Sequence, residues 1–107
     1  MRSIEFEILL TLAAGERHGY AIIRDIETRS RGAVPVETGT LYRALQRLAE
    51  GRLVRPAAIR ATVAGEDERR SFYAITAAGR RAAADEARRL ASLVDVARAA
   101  RLIQEAT

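Results

Sequence analysis

The sequence predicts a mostly α-helical fold with a small β hairpin, in the α+β class. Apolar residues recur at helical spacing through residues 3–50, short β-branched and aromatic runs follow Gly51, and a long alanine-rich stretch without proline starts at Thr76. At 107 residues the chain is expected to form one folding unit. A chain of that size buries only about 60–65% of its unfolded surface, so a second subunit would stabilise it considerably.

The first helix is expected from Ser3 to Ala14, with Ile4, Ile8, Leu9 and Leu12 on one face, Ser3 as the cap and Gly15 as the stop. The second runs from Gly19 to Arg29 and buries Ile22, Ile23 and Ile26. The stretch RGAVP then breaks the pattern, since Gly32 accepts unusual dihedrals and Pro35 has no amide donor. A third helix covers Thr38 to Glu50, with Leu41, Leu45 and Leu48 on its buried stripe. Gly39, Tyr42, Arg43, Gln46 and Arg47 fall on the opposite side, and Gly51 closes the helix.

Beyond Gly51 the period changes. The runs LVRPAAIRA and RRSFYAIT read as two strands of a hairpin around the polar loop TVAGEDE, and Pro56 restricts the first strand to an edge or irregular position. From Thr76 a last helix of about 28 residues would span about 42 Å at 1.5 Å per residue, more than one small domain can cover. Its stripe of Ala83, Ala87, Leu90, Leu93, Val94 and Ala97 is therefore expected to form a dimer interface. Glu86 and Arg101 lie near that stripe and, if buried, would need partners, which a second subunit could supply. Three compact helices followed by a hairpin describe a winged helix-turn-helix, whose last short helix enters the major groove of DNA. The expected organisation is a DNA-binding domain over residues 1–76 and a dimerisation helix over 77–107.

Composition narrows the function. The formal charge is +4, the pI is near 10.6 and all 18 basic residues are Arg, a balance that suits a polyanionic partner. The planar guanidinium fork matches phosphate and guanine edges better than an ammonium does. The chain has no cysteine and a single histidine, so disulfide and thiolate chemistry are excluded, and neither a metal site nor a cofactor is expected. There is no nucleophile–base motif and no glycine-rich phosphate loop, so an enzyme is not expected. No apolar run approaches the ~20 residues of a membrane span and no signal-peptide pattern opens the chain, which points to a cytoplasmic protein.

The motifs HGY at His18–Tyr20, GTLYRALQRL at Gly39–Leu48 and RRSFYAIT at Arg69–Thr76, followed by AAG, resemble the PadR family of bacterial transcriptional regulators. With their spacing they span residues 4–80. The resemblance implies a dimeric winged-helix repressor, joined through its C-terminal helix and released from DNA by a small molecule in some members. The single long terminal helix is similar to the short-form branch of that family. Glu37 stands where the family often has Ser or Asn, which leaves Thr38 as the expected cap of the third helix. The hairpin tip carries Glu66, Asp67 and Glu68, which moves the expected DNA contacts of the wing to Arg69 and Arg70 at its base. The chain has no Trp to line an aromatic slot between subunits.

Within that frame, Tyr20 and Tyr42 are expected to donate to phosphate, and their alternative role is packing at helix junctions. Arg43, Gln46 and Arg47 are the expected base readers, because Arg matches guanine O6/N7 and Gln matches adenine N6/N7. Thr38, Gly39 and Thr40 would offer hydroxyls and backbone amides to phosphate at the helix start. His18 reads as a structural residue before the second helix. Function is therefore expected to be sequence-specific regulation of transcription at a palindromic operator, as a repressor released by a small hydrophobic effector lodged against Leu, Val and Ala side chains with Phe6 or Phe72. The alternative is a winged-helix protein-interaction module without DNA binding.

Overall fold

A computed structural model describes residues 1–57 and 72–104. Along the chain run α1 (Ser3–Ala13), β1 (Arg17–His18), α2 (Gly19–Arg29), α3 (Thr38–Glu50), β2 (Val54–Ala57), β3 (Phe72–Ile75) and α4 (Ala77–Ala99). α2 and α3 have the limits their periodicity predicts. The start of α1 is capped one residue before Ser3: Arg2 holds the extended cap position, and its backbone amide donates to Glu5 Oε1 at 3.1 Å.

α1 lies at the centre, packed against α2, α3, α4 and β3. Ile8, Leu9 and Leu12 of α1 meet Ile22 and Ile26 of α2, and Leu41, Ala44, Leu45 and Leu48 of α3, in one buried cluster that Val54 and Ala83 complete. Each of the larger side chains contributes about 1.5–3 kcal/mol by leaving water.

The sheet has the antiparallel order β1-β3-β2. Pro56 sits opposite Tyr73 on the edge strand β2, where its missing amide leaves no central ladder bond unmade. The two-residue β1 pairs Arg17 with Tyr73 and His18 with Phe72, and is too short to show a period in the sequence.

Three helices end alike. Arg31, Arg52 and Arg101 have φ of 55°, 60° and 62°, in the left-handed region. In each case the next amide reaches back to the third-last helical carbonyl: Gly32 to Glu27, Leu53 to Leu48 and Leu102 to Ala97. Gly51 is the C-cap of α3, as expected, while Arg52 after it takes the left-handed conformation and its amide bonds the Ala49 carbonyl.

Thr76 caps α4 by accepting the Gly79 amide at 3.0 Å, while its hydroxyl donates to the Arg52 carbonyl at 2.7 Å. Gly79 is buried where a β-carbon would lie 2.8 Å from Ile75 Cγ1 and 3.0 Å from the Leu53 carbonyl carbon. The first turns of α4 therefore belong to the core of the N-terminal region. At 23 residues α4 is shorter than expected and spans about 34 Å. Its far half projects, which gives extents of 53 × 29 × 25 Å and a radius of gyration of 15.8 Å, against about 13 Å for a compact chain of this size.

Candidate nucleic-acid interface

α2 and α3 form the helix-turn-helix. The turn between them is tied down by Glu27, whose Oε2 accepts the Val36 amide at 3.2 Å, and by Ser30, whose hydroxyl accepts the Val34 amide at 3.2 Å. The cap position of α3 is Glu37, with no side-chain cap bond, and Thr38 is the first helical residue rather than the cap. The amides of the first turn thus have no side-chain acceptor from the cap residue, at the positive end of the helix.

Leu41, Ala44, Leu45 and Leu48 anchor α3, which turns Arg43 and Gln46 to solvent. At 100° per residue the two borders of that face are Tyr42 and Arg47. Both are engaged with the protein. Tyr42, 41% exposed, lays its ring over Gly19 at the start of α2, where a β-carbon would come within 2.8 Å of Cζ. The ring also neighbours Tyr73, whose phenol is pushed above its ordinary value first by burial and then by Tyr42. Arg47 turns the other way, and its Nε donates to Glu5 Oε2 of α1 at 2.8 Å. Arg47 is therefore not free on the outer face as the helical wheel places it.

Arg43 folds back along its helix, with Nη2 3.5 Å from Thr40 Oγ1. Gly39 leaves room for it, since a β-carbon there would lie 3.2 Å from Nη1. Thr38 and Gly39 are exposed and Thr40 is half-buried. Tyr20 stands out from α2 at 62% exposure. His18 is structural, as expected: its Nδ1 accepts the Ala21 amide at 3.2 Å to cap α2, and its ring meets Phe72 edge-on at 5.5 Å. Arg69 and Arg70, the expected wing contacts, lie outside the described residues.

Glu5 was not among the residues singled out from the sequence. Burial raises its pKa, but the Arg47 hydrogen bond, the Arg2 amide and the two positive charges outweigh that and hold its carboxyl below the ordinary value. Nothing in the local pattern marks it, because its partner lies 42 residues away.

The stripe of α4 divides. Ala83 is buried in the core and is not available to an interface, while Leu90 and Ala97 are half-buried. Ala87, Leu93 and Val94 are exposed, as are Val96, Leu102 and Ile103, which the stripe omitted. Glu86 does not wait for a second subunit, since Arg89 on the same helix pairs with it at 2.7 Å. That hydrogen bond holds the Glu86 carboxyl below its ordinary value. A groove of about 390 Å³ lies between α1, the end of α2 and α4, lined by Met1, Phe6, Leu10 and Leu90 together with the polar Glu7, Arg29, Ser30, Glu86 and Arg89. Phe72 is not part of it; that ring borders an open cleft with Gly15, Glu16 and Arg17. Among the described residues no group of three His, Cys, Asp or Glu side chains is placed to hold a metal ion, and no helix is long and apolar enough to cross a membrane.

A helix-turn-helix backed by a β hairpin, with an arginine-bearing helix face turned outward, defines a winged-helix regulator of transcription. Solved structures of similar fold include a transcriptional regulator from Clostridium thermocellum, 25% identical at a TM-score of 0.74, matched over 87% of this chain and 84% of that one. A PadR family transcription regulator from Clostridium difficile is 23% identical at a TM-score of 0.75, over 91% of this chain and 96% of that one. Bacillus subtilis PadR, solved with operator DNA, is 21% identical at a TM-score of 0.64, over 78% of this chain and 46% of that one. Comparison with proteins of curated function finds no significant sequence match. The profile of the PadR-like family of transcriptional regulators matches residues 8–85, and the chain belongs to that family.

Proposed function

We propose that the protein is a sequence-specific DNA-binding repressor that acts as a homodimer. The observation that carries this reading is the outer face of α3. Arg43 and Gln46 stand exposed on a helix anchored by three leucines, beside a first turn whose amides have no side-chain cap. In this reading Arg43 and Gln46 read bases, while Tyr42, Tyr20 and the Thr38–Thr40 turn meet phosphates. Arg69 and Arg70 would add phosphate contacts from the wing. That the Bacillus subtilis relative was solved with operator DNA supports a DNA partner for this fold.

The exposed Leu93, Val94 and Val96 on the projecting half of α4, with Leu102 and Ile103 just beyond its end, support dimerisation through that helix. A dimer brings two copies of α3 to successive major grooves about 34 Å apart, so the site would be palindromic. The groove beside Phe6, Leu10 and Leu90 suits a small effector with an apolar body and polar groups directed at Glu7, Arg29, Glu86 or Arg89. An occupant there would alter the seating of α4 on α1, and a shift of 1.4 kcal/mol between states changes operator affinity about tenfold.

Selection from a random-sequence duplex pool, followed by anisotropy titrations on the selected site, tests the reading. Arg43→Ala should relax base preference at one position per half-site, at a cost of roughly 1–3 kcal/mol. A protein that enriches no sequence and binds no duplex at low salt would instead be an interaction module.

A further inference from the structure

We propose that Glu5 withholds Arg47 from DNA, so that Arg47 positions the recognition helix α3 on α1 instead of binding phosphate. This rests on the DNA-binding reading and adds to it a residue pair that sets how much of the affinity depends on sequence. Both carboxylate oxygens of Glu5 are used: Oε2 accepts from Arg47 Nε at 2.8 Å and Oε1 accepts from the Arg2 amide at 3.1 Å. The Glu5 side chain is only 14% exposed, against 36% for Arg47, so the anchor is the better buried partner.

The placement gives the pair its effect. Glu5 and Glu7 are two residues apart on α1 and so point to different sides of that helix. Glu7 takes a two-pronged grip from Arg29 at the end of α2, with Nε at 2.9 Å and Nη2 at 2.7 Å. Glu5 holds the last turn of α3. α1 is thus clamped to both helices of the helix-turn-helix while it also packs on α4. The angle of α3 depends on the clamp between Glu5 and Arg47. An arginine released from it would gain reach toward a phosphate and add affinity for any duplex, whatever its sequence. Keeping it paired favours the exposed Arg43 and Gln46 as the groups that decide binding.

The test uses the full-length protein and a labelled mixed-sequence duplex of about 25 base pairs, long enough for two half-sites one helical turn apart. Affinity is measured from about 50 to 200 mM salt for wild type, Arg47→Gln, Glu5→Gln and the double variant, with circular dichroism as the check on folding. Each phosphate neutralised adds about 0.9 to the slope of log affinity against log salt, a factor of about 3.5 over this fourfold range. Arg47→Gln should leave the wild-type slope unchanged. Glu5→Gln should bind more tightly at low salt and steepen the slope by about 0.9 per protomer, and the double variant should return to the wild-type slope.

A purely structural pair would alter melting without moving these slopes, and that result overturns the proposal. So does an Arg47→Gln protein whose slope flattens by about 0.9 per protomer, which would mean that Arg47 already contacts phosphate. Should Glu5→Gln melt below the assay temperature, Glu5→Asp, which shortens the reach to Arg47, must shift the slope in the same direction or the proposal fails. A wild-type protein that binds no duplex at any salt overturns the DNA-binding reading itself, a result distinct from the others.

Discussion

Gly19→Ala should separate folding from DNA binding. Gly19 is the buried first residue of α2, and a β-carbon there would lie 2.8 Å from Tyr42 Cζ and 3.3 Å from Cε1. Ordinary carbon contacts are about 3.5–4.0 Å, so the ring must retreat by roughly 1 Å. It has somewhere to go, because Tyr42 is partly exposed and the encroached atoms are the far end of a rotatable side chain. The lost packing costs about 1 kcal/mol, and alanine returns up to about the same amount over glycine in a helix. Net stability should therefore change by less than about 1 kcal/mol, within about 4–8 °C in Tm. DNA binding should change more. If Tyr42 donates to phosphate as proposed, a phenol moved off its platform loses that hydrogen bond to a charged group, worth about 1.5–3 kcal/mol, or at least about tenfold in affinity. The assay is thermal unfolding beside anisotropy on a duplex at fixed salt, with Tyr42→Phe as the variant that keeps the ring and removes only the hydroxyl. Both variants should fold and both should bind weakly. If Tyr42→Phe binds weakly while Gly19→Ala binds like wild type, the seat over Gly19 is not what presents the phenol; if neither changes, Tyr42 only packs.

The same substitution at Gly79 meets rigid backbone at Leu53 instead of a mobile ring, so Gly79→Ala should cost about 1–3 kcal/mol or more and lower Tm accordingly in thermal melts. Arg52→Gly should raise stability by about 0.5–1 kcal/mol in denaturant titration, because Arg52 holds a left-handed conformation at φ 60° that glycine adopts without strain. Leu93→Asp combined with Val94→Asp should give folded monomers by light scattering, since charge is placed on the exposed apolar half of α4 while the core is untouched. Glu5 has a folded pKa below its ordinary 4.5, so its stabilising contribution is complete above that value and is lost as pH falls through the lower folded one. Acid titration of Glu5→Gln should accordingly show a flatter loss of stability below about pH 4.5 than wild type.

Local periodicity determined a large part of this protein. The limits of α2 and α3 follow from apolar spacing that needs no knowledge of neighbours, and the leucines that anchor α3 imply which of its residues can face outward. The pairing of Glu86 with Arg89 was also within reach of sequence, because residues three apart on a helix are adjacent. Pro56 narrowed its strand to an edge or irregular position because a missing donor is a property of the residue itself, and the sheet order makes it an edge. The motifs His18–Tyr20 and Gly39–Leu48 identified the family before any coordinate did.

Tertiary structure alone decided why those motifs contain what they do. Gly19 is small because a tyrosine from a helix more than twenty residues later lies across it, and Gly79 because the Leu53 backbone passes beside it. The helical wheel assigned Arg47 to the outer face, yet a wheel gives only an angle about one axis and cannot know that Glu5 of α1 lies along that side. The alanine stripe of α4 likewise hid a division, since Ala83 sits over the core and Leu93 beyond its end, a difference set by where the neighbouring helices stop. Contacts between residues near in sequence leave a period that can be read. Contacts between residues far apart depend on how rigid elements are placed in space, and no repeat along the chain records that placement.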